Sequence, residues 1–512
     1  MTIRRRDLIA GGSTVFLSAA GATEPSTAAP RPGQLRQIDV RRDFGAAGDG
    51  TTDDWLAIEN AGLYLERLGG GRMYFPSGRY RLSGTGRNIT VRSNIEYFGD
   101  GHSSVILGTN AAFISPQGAA FGRSAYGSYA YLPIRDIKAG DRFLEFANPS
   151  DVAKFKPGDI VIARSTDAIV TPGDVLPYYV EMNRVVGVAG NRLELEDAID
   201  DGWSGLIAAN VTHHVAQGYS IHDLRIECDA GYPFFIQGSY KSVIRNCWTR
   251  GFALACFNAF TRSMAHDINA TVMWSESGAS ASLFEIETGS VRANFHDIDV
   301  YLSGNVPESA RYPLFYCQEF SRRTLLRDIR VAAAGTELGL VFQIMSGGHQ
   351  IENIDVTART IDKVLDYFSY DPATYQLNRL GLTLANVRVE TLGATNAFNH
   401  GFVLHNDFAG GEVRNVTVRD CTLIGSPGEG DHHLIWFYKG IQNGILFDGV
   451  RGRGSVAMNT SARTPNQTGR PSAGDLAFPL KNVMLRNCEF TRITSDEMQR
   501  QARYVSCERL MD

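Results

Sequence analysis

Glu285 and Glu287 stand two residues apart in the segment SLFEIE, which on an extended strand puts both carboxylates on one side with backbones about 6.6 Å apart. Two carboxyl groups at such a separation can cleave a glycosidic bond when one holds a proton and the other is ionised, and their repulsion favours that split. Related segments follow: LFYCQEF carries Tyr316 and Gln318, LVFQIM carries Val341 and Gln343, and LDYFSY carries Asp366, Phe368 and Tyr370. FVLHND then carries His405 and Asp407, and LIWFYK carries Trp436, Tyr438 and Lys439. Carboxylates and amides bond hydroxyls while aromatic rings cover apolar ring faces, so this mixture suits sugars. A different subset, His405, Tyr316, Tyr438, Lys439, Arg322 and Arg323, would serve removal of a proton beside a carboxylate, which needs a base and a cation. The adjacent pair His432-His433 has poor spacing for ligating a metal, so no metal or other cofactor is expected.

For these side chains to share a surface, their segments must be strands stacked in register. From Gln217 onward the chain repeats a short apolar alternation around a central Asp or Asn: Asp223, Asn246, Asp267, Asp297, Asp328, Asn353, Asn386, Asp420, Asp448 and Asn487, at intervals of 21 to 39 residues. That interval fits stacked solenoid units, and the absence of a 3.6-residue period points to strands. Eleven residues before the central position stand Phe235, Cys256, Ile286, Cys317, Phe342 and Phe437, all apolar. Strand alternation sends this column inward and its neighbours at minus ten and minus twelve outward, Val341 among them. The seven cysteines show no C-x-x-C pair; Cys256 and Cys317 fall in the inward column and Cys247, Cys421 and Cys488 follow a central residue, so they read as small buried stacking residues.

The start of the chain has another texture. Arg4-Arg5-Arg6 precedes a modest apolar run and small residues ending at Ala22, the pattern of an export signal of twin-arginine type at 1–22, followed by a linker at 23–37. Residues 38–136 read as an N-terminal cap and first coils, 137–200 as a small inserted β module with Pro-Gly and Ala-Gly-Asn turns, and 201–512 as the main repeat array. In DFGAAGDGTTDDWLAIENA, Asp49 and Asp53-Asp54 precede an apolar periodicity that stops at Gly69-Gly70-Gly71, so they are expected to shape turns and a helix start.

Residues 39–84, through Asp43, Phe44, Gly45, Gly48, Asp49, Gly50, Asp53, Asp54, Ala57, Ile58, Gly71, Tyr74, Pro76, Gly78 and Tyr80, resemble the N-terminal signature of the pectate lyase-like superfamily, the rhamnogalacturonase and epimerase-like proteins. The resemblance implies an all-β fold, a right-handed parallel β-helix, with a capping helix. It implies no single reaction, since that superfamily holds hydrolases, lyases, epimerases and depolymerases. Trp55 departs from the small polar residue usual there. The Asn-Thr-Asp, Asp-Asp, Gly-His-Gly and Arg-Ile-Lys motifs of the polygalacturonases do not occur in the repeats, and Tyr370-Asp371-Pro372 lacks the histidine of the Asp-Pro-His pattern, so no catalytic residue is carried over.

The residues alone therefore lead to an exported, periplasmic or secreted enzyme acting on a polysaccharide substrate. A glycoside hydrolase is placed first, with Glu285 and Glu287 as acid and base, Asp366 as a third member and His405 beside them. Tyr316, Gln318, Gln343, Tyr370, Trp436, Tyr438, Lys439 and Arg322 are expected to hold substrate. A uronate-specific lyase and a noncatalytic glycan-binding protein are the alternatives. A net charge of −5 gives no field for nucleic acid, and once the signal is removed no membrane partner is expected. Many β-helix depolymerases form trimers, so a homotrimer is one assembly expected.

Overall fold

The computed structural model describes residues 36–84, 86–116, 129–171, 174–177, 179–229, 231–274, 282–287, 289–305, 312–318, 321–369, 380–393, 398–406, 412–425, 432–438, 440–458, 480–494, 499–500 and 502–509. The export signal expected at 1–22, and Tyr370, Asp407 and Lys439, lie outside the described residues. The chain divides into two units, residues 1–269 with 288–293 and residues 270–287 with 294–512. The strands of both join parallel ladders, the arrangement of a right-handed parallel β-helix.

In the first unit, Gln37–Asp39 pairs with Gly71–Phe75, and that strand with Ile95–Gly108. The ladder then skips more than a hundred residues and continues with Ser220–Cys228 and Val243–Gly251. The skipped stretch holds a six-stranded antiparallel sheet in the order Leu132–Ile134, Leu206–Asn210, Ile160–Ser165, Val180–Ala189, Arg192–Leu195, Phe143–Glu145. It reaches beyond the 137–200 span read from composition, and it has its own core around Leu144, Phe146, Tyr179, Val185 and Leu193.

The helix α1 (Trp55–Arg67) buries Ile58, Ala61, Gly62 and Leu65 and ends where Gly69, at φ 82°, lets the Gly70 N–H turn back to the Leu65 carbonyl. The aspartates before it do shape the chain, but not quite as a helix cap. Asp49 accepts from the Thr51 and Thr52 N–H groups at 2.7 Å each. Asp54 sits at the N-cap without capping through its side chain; its carboxylate is taken by the N–H groups of Ala47 and Gly48, at 2.5 and 3.1 Å, in the loop before it. Burial pushes this carboxyl up, against the pull of those donors.

The second unit carries the strands that matter for chemistry: β1 (Phe284–Ile286), β2 (Pro313–Cys317), β3 (Leu325–Ile344), β4 (His349–Ser369), β5 (Phe398–Asn406) and β6 (His433–Phe437). They are consecutive parallel neighbours. Phe284, Phe315 and Phe342 stack in register along the inside, and Ile286, Cys317, Ile344, Leu365 and Phe402 are buried with them.

The repeating Asp/Asn turns out to be a corner. Nine of the ten central residues adopt φ between 47° and 57°, the left-handed region that Asn and Asp tolerate best after glycine. Asp448 is the exception: the next residue, Gly449, takes the left-handed position at φ 67°. Within the second unit the corner side chains bond in a ladder, Asn353 Nδ2 to Asp328 Oδ1 at 2.8 Å and Asn386 Nδ2 to Asn353 Oδ1 at 2.7 Å. Cys247, Cys421 and Cys488, each just past a corner, are buried, and each places its Sγ 3.2 Å from the carbonyl two residues back. Burial pushes the Cys421 thiol up to about 12, which suits packing rather than reactivity.

Three positions of the expected columns are corrected. Phe235 is half-buried beside Tyr232, and Cys256, in register with it, shares its face, while Phe234 and Ile236 take the inside, because the strands there are set one residue off the inferred register. Val341, expected outside, is fully buried, because Val341 and Phe342 form a consecutive buried pair.

Candidate active site

The outward column of the second unit runs in register through Glu285, Tyr316, Gln343, Asp366, Val403 and Trp436. Two groups of side chains stand out on it. At one end the Glu285 and Glu287 carboxylates lie within 4.8 Å of each other, with Glu285 only 6% exposed. Gln318, itself buried, donates Nε2–H to Glu287 Oε1 at 2.8 Å.

Asp366 belongs to a different group. It is three ladder steps from Glu285, about 14 Å at the usual strand spacing, too far to act as a third member of the glutamate pair. That part of the sequence reading is replaced. Asp366 Oδ1 instead meets His405 Nε2 at 2.9 Å, and Lys363 Nζ approaches Oδ2 at 3.4 Å. Burial would raise this carboxyl, but the charge and hydrogen bond of His405, followed by Lys363, hold it below the usual aspartate range. The ionised carboxylate holds the His405 ring in place through Nε2.

Aromatic rings enclose the pair. Phe368 stacks on His405 with centroids 4.9 Å apart at 10°, and Tyr438 meets it edge-on at 5.7 Å. Trp436 lies 4.5 Å from Tyr438, and His400 and His433 flank Trp436 at 4.7 and 5.0 Å. Burial, then His433, lowers His400 to about 4, so it is uncharged at neutral pH.

The expected residues Tyr316, Gln343, Trp436 and Tyr438 are all half-buried in or beside this column. Arg322 is not: it is completely buried, so the expectation that it holds substrate is corrected. It falls at a corner whose neighbours Ser321 and Thr324 are buried too, so the chain around it closes it off from solvent. Arg323 takes the left-handed backbone there, at φ 56°.

Alternation missed Lys363, His400 and His433. Each lies three residues before an outward residue of the column, Asp366, Val403 and Trp436, which strict period two would place on the opposite face. Two consecutive inward residues intervene, Val364 and Leu365 in β4, Leu434 and Ile435 in β6, all fully buried, and this doubled step restores the upstream side chain to the outer surface. A run such as Lys-Val-Leu-Asp or His-Leu-Ile-Trp was the available signal.

Residues 37–141 match the family described as rhamnogalacturonase A/epimerase, pectate lyase-like. Over 70 residues the chain is 39% identical to mannuronan C5-epimerase AlgE1 and 40% identical to alginate lyase 7, both of Azotobacter vinelandii; each match covers 13% of this chain. The chain spans 5% and 8% of the length of those two relatives. The tailspike gp61 of Pseudomonas phage phi297 has a similar fold, with a TM-score of 0.50 at 12% identity over 88% of this chain and 80% of that one. The ladders and these matches define a parallel β-helix protein. The pectate lyase-like family match itself extends over residues 37–141.

Proposed function

We propose that the protein is an exported carbohydrate-active enzyme that cleaves a uronate-containing polysaccharide by β-elimination at the Asp366–His405 pair. The observation that carries this is the 2.9 Å bond between Asp366 and His405, with Lys363 adjoining it and aromatic rings around it. A carboxylate that fixes an imidazole makes a positioned base. In the step envisaged, the His405 imidazole takes the proton from C5 of the uronate, a C4–C5 double bond forms, and the C4–O4 bond breaks with its electron pair leaving on O4. In this scheme Tyr438 returns a proton to O4, and the ammonium of Lys363 offsets charge gathering on the uronate carboxylate. The relatives named an alginate lyase and a mannuronan C5-epimerase support the choice of a uronate glycan.

Incubation with a panel of acidic and neutral polysaccharides, following ultraviolet absorbance and reducing ends together, tests the reading. It expects both signals to rise on a uronate glycan and both to vanish in His405→Ala. Shortened chains without new absorbance would refute it.

One observation keeps hydrolysis as a second reading: the Glu285 and Glu287 carboxylates, within 4.8 Å, approach the separation of roughly 5 to 5.5 Å of retaining glycosidases. That reading requires the Glu285→Gln, Glu287→Gln double variant to lose chain cleavage, whereas elimination at His405 leaves it largely intact.

A further inference from the structure

Beside the Asp366–His405 pair lies a surface of different character. Lys363, His400 and His433 are in register on β4, β5 and β6. The two imidazoles stack 5.5 Å apart at 18°, against Trp436. Ser455 fixes His433 from behind: its hydroxyl donates to the His432 carbonyl at 2.9 Å, so His433 Nδ1–H donates to Ser455 Oγ at 2.7 Å.

His400 and Trp436 are unlike their neighbours, because the side chain of neither is hydrogen-bonded to any described residue. His400 Nδ1 is buried without a partner. A buried lone pair without a partner costs less than a buried N–H without one, so the ring proton belongs on Nε2, toward solvent. Trp436 is half-buried and offers its indole N–H and ring face. Among the described residues the cation in register here, Lys363, directs its ammonium at Asp366 Oδ2, 3.4 Å away.

We propose that His400 and Trp436 form a subsite for an uncharged sugar residue next to the reacting uronate, so that the substrate is a mixed glycan in which uronate and neutral sugars adjoin. The inference rests on the proposed reaction only for where the uronate sits. A sugar hydroxyl accepts from His400 Nε2–H or Trp436 Nε1–H while its ring covers the indole. A carboxylate in the same place would shed water with no cation of its own among the described residues to replace it.

Two disaccharide probes decide the matter: an aldobiouronic acid, with a uronate joined to a neutral hexose, and a diuronic acid of the same size. Their binding to the full chain is followed by calorimetry and tryptophan fluorescence. The mixed probe should bind about tenfold more tightly, the worth of roughly one hydrogen bond to a neutral group. His400→Leu and Trp436→Ala should abolish that preference and His400→Gln, which retains an N–H donor, should restore it; should the leucine variant fail to fold, Trp436→Phe decides in its place. Equal affinity for the two probes in the unsubstituted protein, or a preference untouched by these substitutions, overturns the subsite. Asp366→Asn separates the two ideas: it should slow turnover by about 10²- to 10⁴-fold and keep the binding preference, so undiminished turnover sinks the reaction assignment, and a lost preference sinks the subsite.

Discussion

Asp366 and His405 meet on the diagonal of a parallel ladder. Asp366 is in register with Val403 and Phe368 with His405, and the bond of 2.9 Å crosses between the two rows. Only a side chain as short as aspartate's, facing an imidazole two residues further along the next strand, fits that reach. Asp366→Asn is therefore expected to keep the fold and lower kcat by about 10²- to 10⁴-fold, the usual share of acid–base catalysis, with KM changed little. Steady-state kinetics against pH check this. A variant with normal kcat and an unmoved pH profile would remove the pair from the reaction.

Acid should also act on the same carboxylate through stability. Its folded pKa is depressed, so its contribution is complete above the unfolded value of about 3.9 and is lost as pH falls through the lower folded value. Urea midpoints should decline below pH 4 in the unsubstituted protein, with a shallower slope in Asp366→Asn. Parallel slopes would contradict the assigned ion pair.

His349 gives a second window at higher pH. It is buried beneath the corner of β3 and β4, where its Nδ1 accepts from the Thr324 N–H at 3.3 Å and its Nε2 lies 2.9 Å from Ser346 Oγ. Burial pushes it down to about 3. The unfolded chain thus takes up a proton below about 6.5 that the native chain refuses, and stability falls from there toward pH 3 by up to about 1.4 kcal/mol per pH unit. His349→Leu should be less stable at pH 7, with Ser346 and Thr324 deprived of a partner, yet flatter between pH 6 and 4. Chemical denaturation at the two pH values tests it, and an unchanged slope refutes it.

How far the chain announces this architecture can be judged at particular residues. Ile286, Cys317 and Phe342 were readable as inward, and Glu285, Tyr316 and Gln343 as outward, because period two governs the straight part of each strand. The ladder partners were harder, since coil length varies: Cys317 pairs with Ile344 and not with Phe342, a slip of two residues that keeps the face but changes the neighbour. Lys363 and His400 were hidden by the doubled inward step, which breaks the period at the strand entry. The sequence also gave no cue that Asp366 would bond His405 and not join the glutamates, because that depends on which coil follows which.

The corner at Asn353 separates backbone strain from side-chain bonding. Its φ of 57° is costly for any residue with a Cβ that lacks Asn's local polar contacts, and its amide also links Asp328 and Asn386. Asn353→Gly should relieve the backbone and lose only the side-chain bonds, while Asn353→Ala loses both and should be less stable than the glycine variant by about 1 kcal/mol. The ordering unsubstituted, glycine, alanine in urea midpoints is the expected result. An alanine variant equal to glycine would mean that the corner stores no strain.

Arg322 distinguishes a buried structural cation from a substrate contact. Its side chain has no exposure at all, so its charge must be met inside the protein, and removing it strands those partners in a medium of low dielectric. Arg322→Met is expected to destabilise the protein by about 3 to 5 kcal/mol, and Arg322→Lys to recover only part of this, since an ammonium cannot reproduce the planar fork of donors. The same variants should bind oligosaccharides with unaltered affinity at a temperature where they remain folded. A residue that held substrate would behave in the opposite way, with normal denaturation and a raised KM. Measuring unfolding and oligosaccharide binding on the one pair of variants therefore tells the two roles apart, and weakened binding with full stability would return Arg322 to the outer face.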